Sequence, residues 1–327
     1  MKKTVRLLLI ILAVIIAVSA AGFCVYVGEQ VYRSSVTLTT NERTAIDRAG
    51  QLSRFGMNAE YFESVYSVLH IKLISSLDGH EIPADYISRD GEKNKDTVIL
   101  VHGLGGNRVS NYPVAELFLQ HGWNVLTYDQ RATAENLAEH NTFGYLERYD
   151  TINYVSYVDK LLDADKRIVL WGTSFGGATV GMAMADEFVN SRVCAAILDC
   201  PVSSMEDMVR AELESVSEDT GLPVGFLLWT GDLSLKRHLG FSLDDAEVTD
   251  YIHKSQIPLL VINSKADTVT PQYMGQNIFF AAGTPHKSIY TVSDSAHANV
   301  YFDHRVQYES RVFALIDSTA VPEDEAA

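Results

Sequence analysis

The alternation of apolar and polar positions divides the chain into regions of different character. Residues 7–28 (LLLIILAVIIAVSAAGFCVYVG) form one apolar run of 22 residues without a charge. At a rise of 1.5 Å per residue, a helix of that length crosses a hydrocarbon core of about 30 Å. Residues 29–67 are mixed in charge with weak helical spacing, and read as a juxtamembrane stalk or helical extension. From residue 68 onward short apolar runs alternate with helical patterns. Residues 71–75 and 82–87 flank an Asp78-Gly79 turn, which predicts a hairpin. Runs at 97–101, 125–128, 167–171, 193–198, 258–262 and 288–292 are strand-length and rich in Val, Ile and Leu, as in strands buried on both faces. Between them lie helical stretches such as 154–162, where Val155, Val158 and Leu162 fall on one stripe. A closing helix turns Tyr308, Val312, Phe313 and Ile316 inward. Strand and helix in alternation predict a doubly wound, mostly parallel α/β sheet over residues 68–317, with an insertion at 203–255. In such sheets chemistry is sought in the loops at the carboxyl ends of the strands. The acidic tail, 318–327, is expected to fray.

The flanks of the apolar run set its orientation. Lys2, Lys3 and Arg6 precede it and the next charge is Glu29, so the positive-inside rule leaves the N-terminus cytoplasmic and the remainder outside. A cleaved signal peptide is the competing reading, with Val18-Ser19-Ala20 as the small-residue cleavage motif. The apolar character continues to Val27, which favours an uncleaved anchor; Phe23 before Cys24 is too bulky for a lipoprotein signal.

Charge removes one class of partner. The formal net charge is −16, so the surface repels phosphate backbones and nucleic acid is set aside. Cysteine adds little. Cys24 lies in the apolar run, while Cys194 and Cys200 fall in 193–201, which reads as one extended strand. Six residues of extended chain span roughly 20 Å, beyond the reach of a disulfide. Nothing has zinc-ligand spacing, and no metal or redox cofactor is implied.

The loops that follow the predicted strands carry the candidate chemistry. Gly172-Thr173-Ser174-Phe175-Gly176-Gly177 follows the run 167–171 and precedes the small-residue helix predicted at 178–184. That strand–turn–helix context is what a G-x-S-x-G nucleophile elbow requires. Ser174 must occupy a tight turn, so the side chains at 172 and 176 have to vanish, and the following helix points its N–H groups at developing negative charge. His102-Gly103-Leu104-Gly105-Gly106-Asn107 follows the run 97–101, and the backbone N–H groups of Leu104 and Phe175 are candidates for an oxyanion hole. This loop lacks the phosphate-binding Gly-x-x-x-x-Gly-Lys-[Ser/Thr] pattern. His102 itself reads as a hydrogen-bonding residue of the turn. Asp267 lies just past the run 258–262, and His297 just past the last strand. His297 is placed to take the serine proton and Asp267 to hold the imidazole's tautomer.

These motifs resemble the α/β-hydrolase superfamily, in its serine-aminopeptidase-like and prolyl-oligopeptidase-like branch, which includes small membrane-anchored bacterial members. The chain order Ser174, Asp267, His297 is the one such proteins follow. Asp129-Gln130-Arg131 also matches the Asp-x-Arg that the family carries after its fourth strand, as structural rather than catalytic residues; the family then has glycine where Ala132 stands here. The resemblance implies a helical cap at 203–255, a Ser174 acyl-enzyme, and a small acyl or peptidyl substrate cleaved at an ester, thioester or amide bond. It also leaves Asp199 as an alternative acid, while Asp294 shapes the loop of His297. An exopeptidase-like activity on short peptides and a catalytically idle binding protein at the membrane remain the competing readings. The apolar residues 223–229 in the cap suggest an acyl or aromatic group, or simple core packing.

Overall fold

The structure, a computed structural model, describes residues 2–319; the acidic tail beyond lies outside the described residues. The chain opens with α1 (Lys2–Val36), α2 (Arg48–Arg54) and α3 (Ala59–Val65). It continues through β1 (Ser67–Ile74), β2 (Glu81–Ser88), β3 (Thr97–Val101), α4 (Tyr112–Gln120), β4 (Asn124–Tyr128), α5 (Glu147–Asp159) and β5 (Ile168–Thr173). Then come α6 (Phe175–Ala183), α7 (Glu187–Arg192), β6 (Val193–Asp199), α8 (Met205–Thr220), α9 (Val224–Leu239), α10 (Thr249–Ile252) and β7 (Leu259–Ser264). The last elements are α11 (Gln272–Ala281), β8 (Lys287–Val292), α12 (Val300–Asp303) and α13 (Arg305–Asp317). By its contacts the chain falls into two units, Met1–Thr37 with Met205–Ala246, and Leu38–Ser204 with Glu247–Ala327.

The larger unit is built on one sheet, with order β1-β2-β4-β3-β5-β6-β7-β8 among the described residues. The β1–β2 and β2–β4 pairs are antiparallel and all others parallel, so the sheet is mostly parallel, as expected. Every residue of β3, β4 and β7 is buried, because helices cover both faces and leave no solvent-facing side to alternate with the core side; aliphatic residues therefore dominate these strands. Val98, Leu100, Val125, Val169, Ile197 and Leu260 join one core with Tyr308, Val312 and Ile316 of α13. Each such aliphatic side chain, fully buried, contributes about 1.5–3 kcal/mol.

Several expectations are corrected in detail. The extended run read over 193–201 ends at Asp199, because Cys200 has φ 42° and turns the chain out of the sheet. The helix expected at 178–184 begins at Phe175, directly after the candidate nucleophile. The helix expected at 154–162 starts earlier, at Glu147. Between α1 and the sheet, α2 and α3 are capped by Asp47 and Asn58, whose side chains accept the N–H groups of Gly50 and Tyr61. Leu52, Phe62 and Tyr66 of this segment are buried in the sheet's core.

In the smaller unit, α1 is one continuous helix of 35 residues. It packs against α9 at its C-terminal end, where Val27, Val31, Tyr32 and Val36 are buried.

Candidate active site

The site is assembled at the carboxyl ends of β3, β5, β6, β7 and β8. Ser174 stands between β5 and α6 with φ 55° and ψ −120°, a conformation that costs a non-glycine residue about 1–3 kcal/mol. The turn is that tight because the backbones nearly touch. A Cβ on Gly172 would lie 2.4 Å from the carbonyl oxygen of Gly176, and one on Gly176 would lie 2.2 Å from that of Val101. Only glycine fits at either position, which is the physical content of the motif. The Ser174 N–H is tied to the Asp199 carbonyl at 2.8 Å, so the adjacent strand holds the elbow.

The three side chains expected to work together are brought into one hydrogen-bonded line. Ser174 Oγ lies 2.9 Å from His297 Nε2, and His297 Nδ1 lies 2.8 Å from Asp267 Oδ2. The other carboxylate oxygen, Asp267 Oδ1, accepts the N–H groups of Val269 and Thr270 at 2.8 and 2.9 Å. Burial pushes this carboxyl up, but the hydrogen bond with His297 and those backbone N–H groups outweigh it, leaving Asp267 below the usual carboxylate range. Thr270 Oγ1 sits 2.9 Å from Asp267 Oδ2 and 3.1 Å from His297 Nδ1, buttressing the junction between them. Nothing in the sequence marks Thr270 beyond its place three residues after Asp267.

The two rival acids are engaged elsewhere. Asp294 Oδ1 pairs with His304 Nε2 at 2.8 Å. Asp199 is fully buried, and its Oδ2 accepts the Tyr308 hydroxyl at 2.9 Å, which in turn accepts Trp171 Nε1–H at 2.7 Å. Burial pushes the Asp199 carboxyl up to about 6.

On the other side of Ser174 runs the glycine loop. A Cβ on Gly103 would lie 3.3 Å from Ser174 Cβ, so the backbone at 103–104 passes beside the serine. Among the described residues, neither the Leu104 nor the Phe175 N–H is taken by a backbone carbonyl. His102 is fully buried and donates from Nδ1 to the Gly103 carbonyl at 2.8 Å, while its Nε2 accepts the Gln130 N–H at 3.0 Å. Burial lowers it to about 4, so it is a neutral strut of the turn. Asp129 and Arg131 are structural in the same sense. Asp129 accepts the backbone N–H and pairs with the guanidinium of Arg108, and Arg131 pairs with Asp78 at 2.7 Å. Ala132 adopts φ 56°, the left-handed conformation that glycine supplies without strain.

Ser174 and His297 open onto a cavity of about 240 Å³, lined by Phe55, Leu104, Val114, Trp171, Tyr301 and Phe302 among others. Phe55, which stacks on Phe302 at 5.2 Å, comes from the segment before the sheet and carries no signal in the sequence.

Comparison with known proteins places the architecture. A family model described as alpha/beta hydrolase fold matches residues 96–243. An uncharacterized Bacillus subtilis protein, YqkD, is 26% identical over 259 residues, covering 79% of this chain and 82% of its own. The quorum-quenching protein AidA of Acinetobacter baumannii is 32% identical over 110 residues, covering 32% of this chain and 34% of its own. Among solved structures, an esterase of Pyrococcus furiosus is similar with a TM-score of 0.63 at 18% identity, covering 86% of this chain and 97% of its own. An esterase of Exiguobacterium antarcticum has a TM-score of 0.56 at 17% identity, covering 76% and 100%. The chain has the α/β-hydrolase fold.

Proposed function

We propose that this protein is a serine hydrolase that cleaves an ester, thioester or amide bond through an acyl-enzyme on Ser174. The observation that carries the reading is the line Ser174–His297–Asp267, at 2.9 and 2.8 Å, opening on an apolar cavity. His297 Nε2 accepts the proton of Ser174 as Oγ attacks the acyl carbon, and the charge gained by the imidazole faces the Asp267 carboxylate. The oxyanion formed is met by the N–H groups of Leu104 and Phe175, the second at the start of α6. The protonated imidazole then gives its proton to the leaving group. Water repeats the sequence on the acyl-enzyme, releasing the acid and restoring the serine.

The cavity favours a small or medium acyl group with an apolar body, since apolar atoms form most of its wall. That two of the similar structures are esterases supports an ester in preference to a peptide. Alpha-helix α1 acts as a single membrane anchor in this reading, with the hydrolase unit on the extracytoplasmic side. Its exposed apolar residues, including Leu8, Ile11, Ile15 and Val18, have a bilayer as their natural solvent. Turnover of a panel of acyl p-nitrophenyl esters and aminoacyl amides tests the reading. Ser174→Ala is expected to cut kcat by several orders of magnitude in a folded protein. Undiminished turnover by that variant would refute the assignment.

A further inference from the structure

The smaller unit extends the anchor into a second element. Alpha-helix α1 is exposed from Leu7 to Phe23, which covers roughly 25 Å at the helical rise. Burial against protein begins at Cys24 and recurs as far as Val36, so the free apolar length ends at Phe23. Against that C-terminal half lies α9, and the helices run in the same direction. Phe23 stacks on Phe226 at 6.1 Å, Gly28 meets Thr230, Val31 meets Gly231, and Tyr32 stacks on His238 at 4.5 Å. The approach is close. A Cβ on Gly28 would lie 2.3 Å from the Thr230 carbonyl oxygen, and one on Gly231 would lie 2.4 Å from Val31 Cγ1. Small residues at such a seam let two helices lock together, so the height of α9 along α1 is fixed.

That fixed height has a consequence for α9. Its N-terminal turns stand level with the end of the free apolar length, and they carry an apolar stripe at helical spacing: half-buried Phe226, then exposed Trp229 and Leu233. Trp229 is 54% exposed and Leu233 50%, although Leu227, Leu228 and Leu235 on the other face are buried. Phe226 bridges the two helices, touching Phe23 on one side and Trp229 at 6.3 Å on the other. With Tyr26, 63% exposed, these rings form an aromatic band at one level. Amphipathic phenol and indole groups at that level, Tyr26 and Trp229, are what a membrane–water interface selects, with the Phe226 ring beside them on the apolar side. Glu218 and Asp219, exposed just before the 221–223 turn, limit the depth of the tip to the headgroups.

We propose that the α8–α9 hairpin is a second membrane-contacting element, with Phe226 and Trp229 seated in the outer interface of the bilayer that α1 crosses. The proposal rests on the reading of α1 as an uncleaved anchor. The occupant of the exposed stripe is lipid, because the stripe continues the apolar surface of α1 at the level where that surface ends.

The chain supplies its own probe. It has three tryptophans, and Trp123 and Trp171 are buried at 5% and 3% exposure, leaving Trp229 as the accessible one. The full-length protein is reconstituted in phosphatidylcholine vesicles, and the emission difference between wild type and Trp229→Phe isolates Trp229. Flotation with the vesicles first tests the anchor. Lipids brominated near the carbonyl end of their chains are expected to quench the Trp229 emission at least twofold, more than lipids brominated near the chain end. Aqueous iodide is expected to quench it several-fold less than free tryptophanamide. Strong iodide quenching without bromolipid quenching, in protein that floats, would overturn the hairpin contact while leaving the anchor standing. Failure to float would overturn both. Protection from both quenchers, with cross-links between copies, would overturn the lipid occupant in favour of a second copy of the chain.

Discussion

Replacing Asp267 by asparagine tests the electrostatics of the site with almost no change of shape. The carboxylate is held from two sides: Oδ1 accepts two backbone N–H groups, from Val269 and Thr270, and Oδ2 faces His297 Nδ1. An asparagine must keep its carbonyl oxygen on those two donors, since turning it over would set the amide NH₂ against them. The NH₂ therefore takes the place of Oδ2 and points at His297 Nδ1. The imidazole answers by carrying its proton on Nε2, the atom 2.9 Å from Ser174 Oγ, and can no longer accept the serine proton. The same substitution in a serine protease of unrelated fold lowers kcat about 10⁴-fold, or about 5.5 kcal/mol of barrier, and a loss of that order is expected here. Initial rates on an activated ester at pH 7, with circular dichroism to show that the fold is retained, measure it. Asp199→Asn and Asp294→Asn serve as references. The amide oxygen introduced by Asp199→Asn still accepts the Tyr308 hydroxyl, and Asp294 touches no member of the triad, so each variant is expected to stay within about tenfold of wild type. The reasoning is refuted if Asp267→Asn keeps more than a tenth of the activity, or if Asp199→Asn costs more than Asp267→Asn in folded protein.

Other consequences follow from single residues. Thr270→Val removes the hydroxyl beside Asp267 Oδ2 and His297 Nδ1; kcat is expected to fall about tenfold with KM unchanged, as steady-state kinetics would show. Ala132→Gly relieves a left-handed alanine at φ 56° and is expected to stabilise the fold by about 1 kcal/mol, a rise of roughly 2–4 °C in a thermal melt. Asp199, raised by burial to about 6, binds a proton in the folded state over a range where the unfolded chain has lost it, so wild-type stability falls as pH rises from about 4 to about 6. Asp199→Asn removes that loss, and urea titrations are expected to find it gaining on wild type by up to about 3 kcal/mol between pH 4 and pH 7; no change in the difference would contradict the burial argument.

Local chemistry decided how much was legible in the sequence. The runs at 97–101, 125–128 and 258–262 predicted strands to within two residues, because burial on both faces replaces the polar alternation of a half-exposed strand by short aliphatic-rich runs. The start of α6 was hidden, since Gly176 and Gly177 are poor helix formers; Gly176 serves the close approach to the end of β3 and Gly177 the approach to Pro201 after β6. Ser174, Asp267 and His297 could be singled out because each follows a strand in the expected order. Their convergence was expected from chain order and loop position alone; the distances were not readable, for they depend on which strands are neighbours. Thr270 was invisible as a partner of the site because a threonine after a turn aspartate is commonplace. Phe55 and the α1–α9 seam were invisible for another reason: both bring together residues far apart in sequence, and neither segment's periodicity names the surface it will meet.

The most direct measurement is the position of a covalent adduct. Full-length protein is treated with a fluorophosphonate, digested, and the modified peptide sequenced by mass spectrometry. The account predicts one adduct per chain, on Ser174, with labelling slowed strongly in His297→Ala and absent in Ser174→Ala. An adduct on another residue, or ester turnover that persists after the reagent has been consumed without marking Ser174, would contradict it.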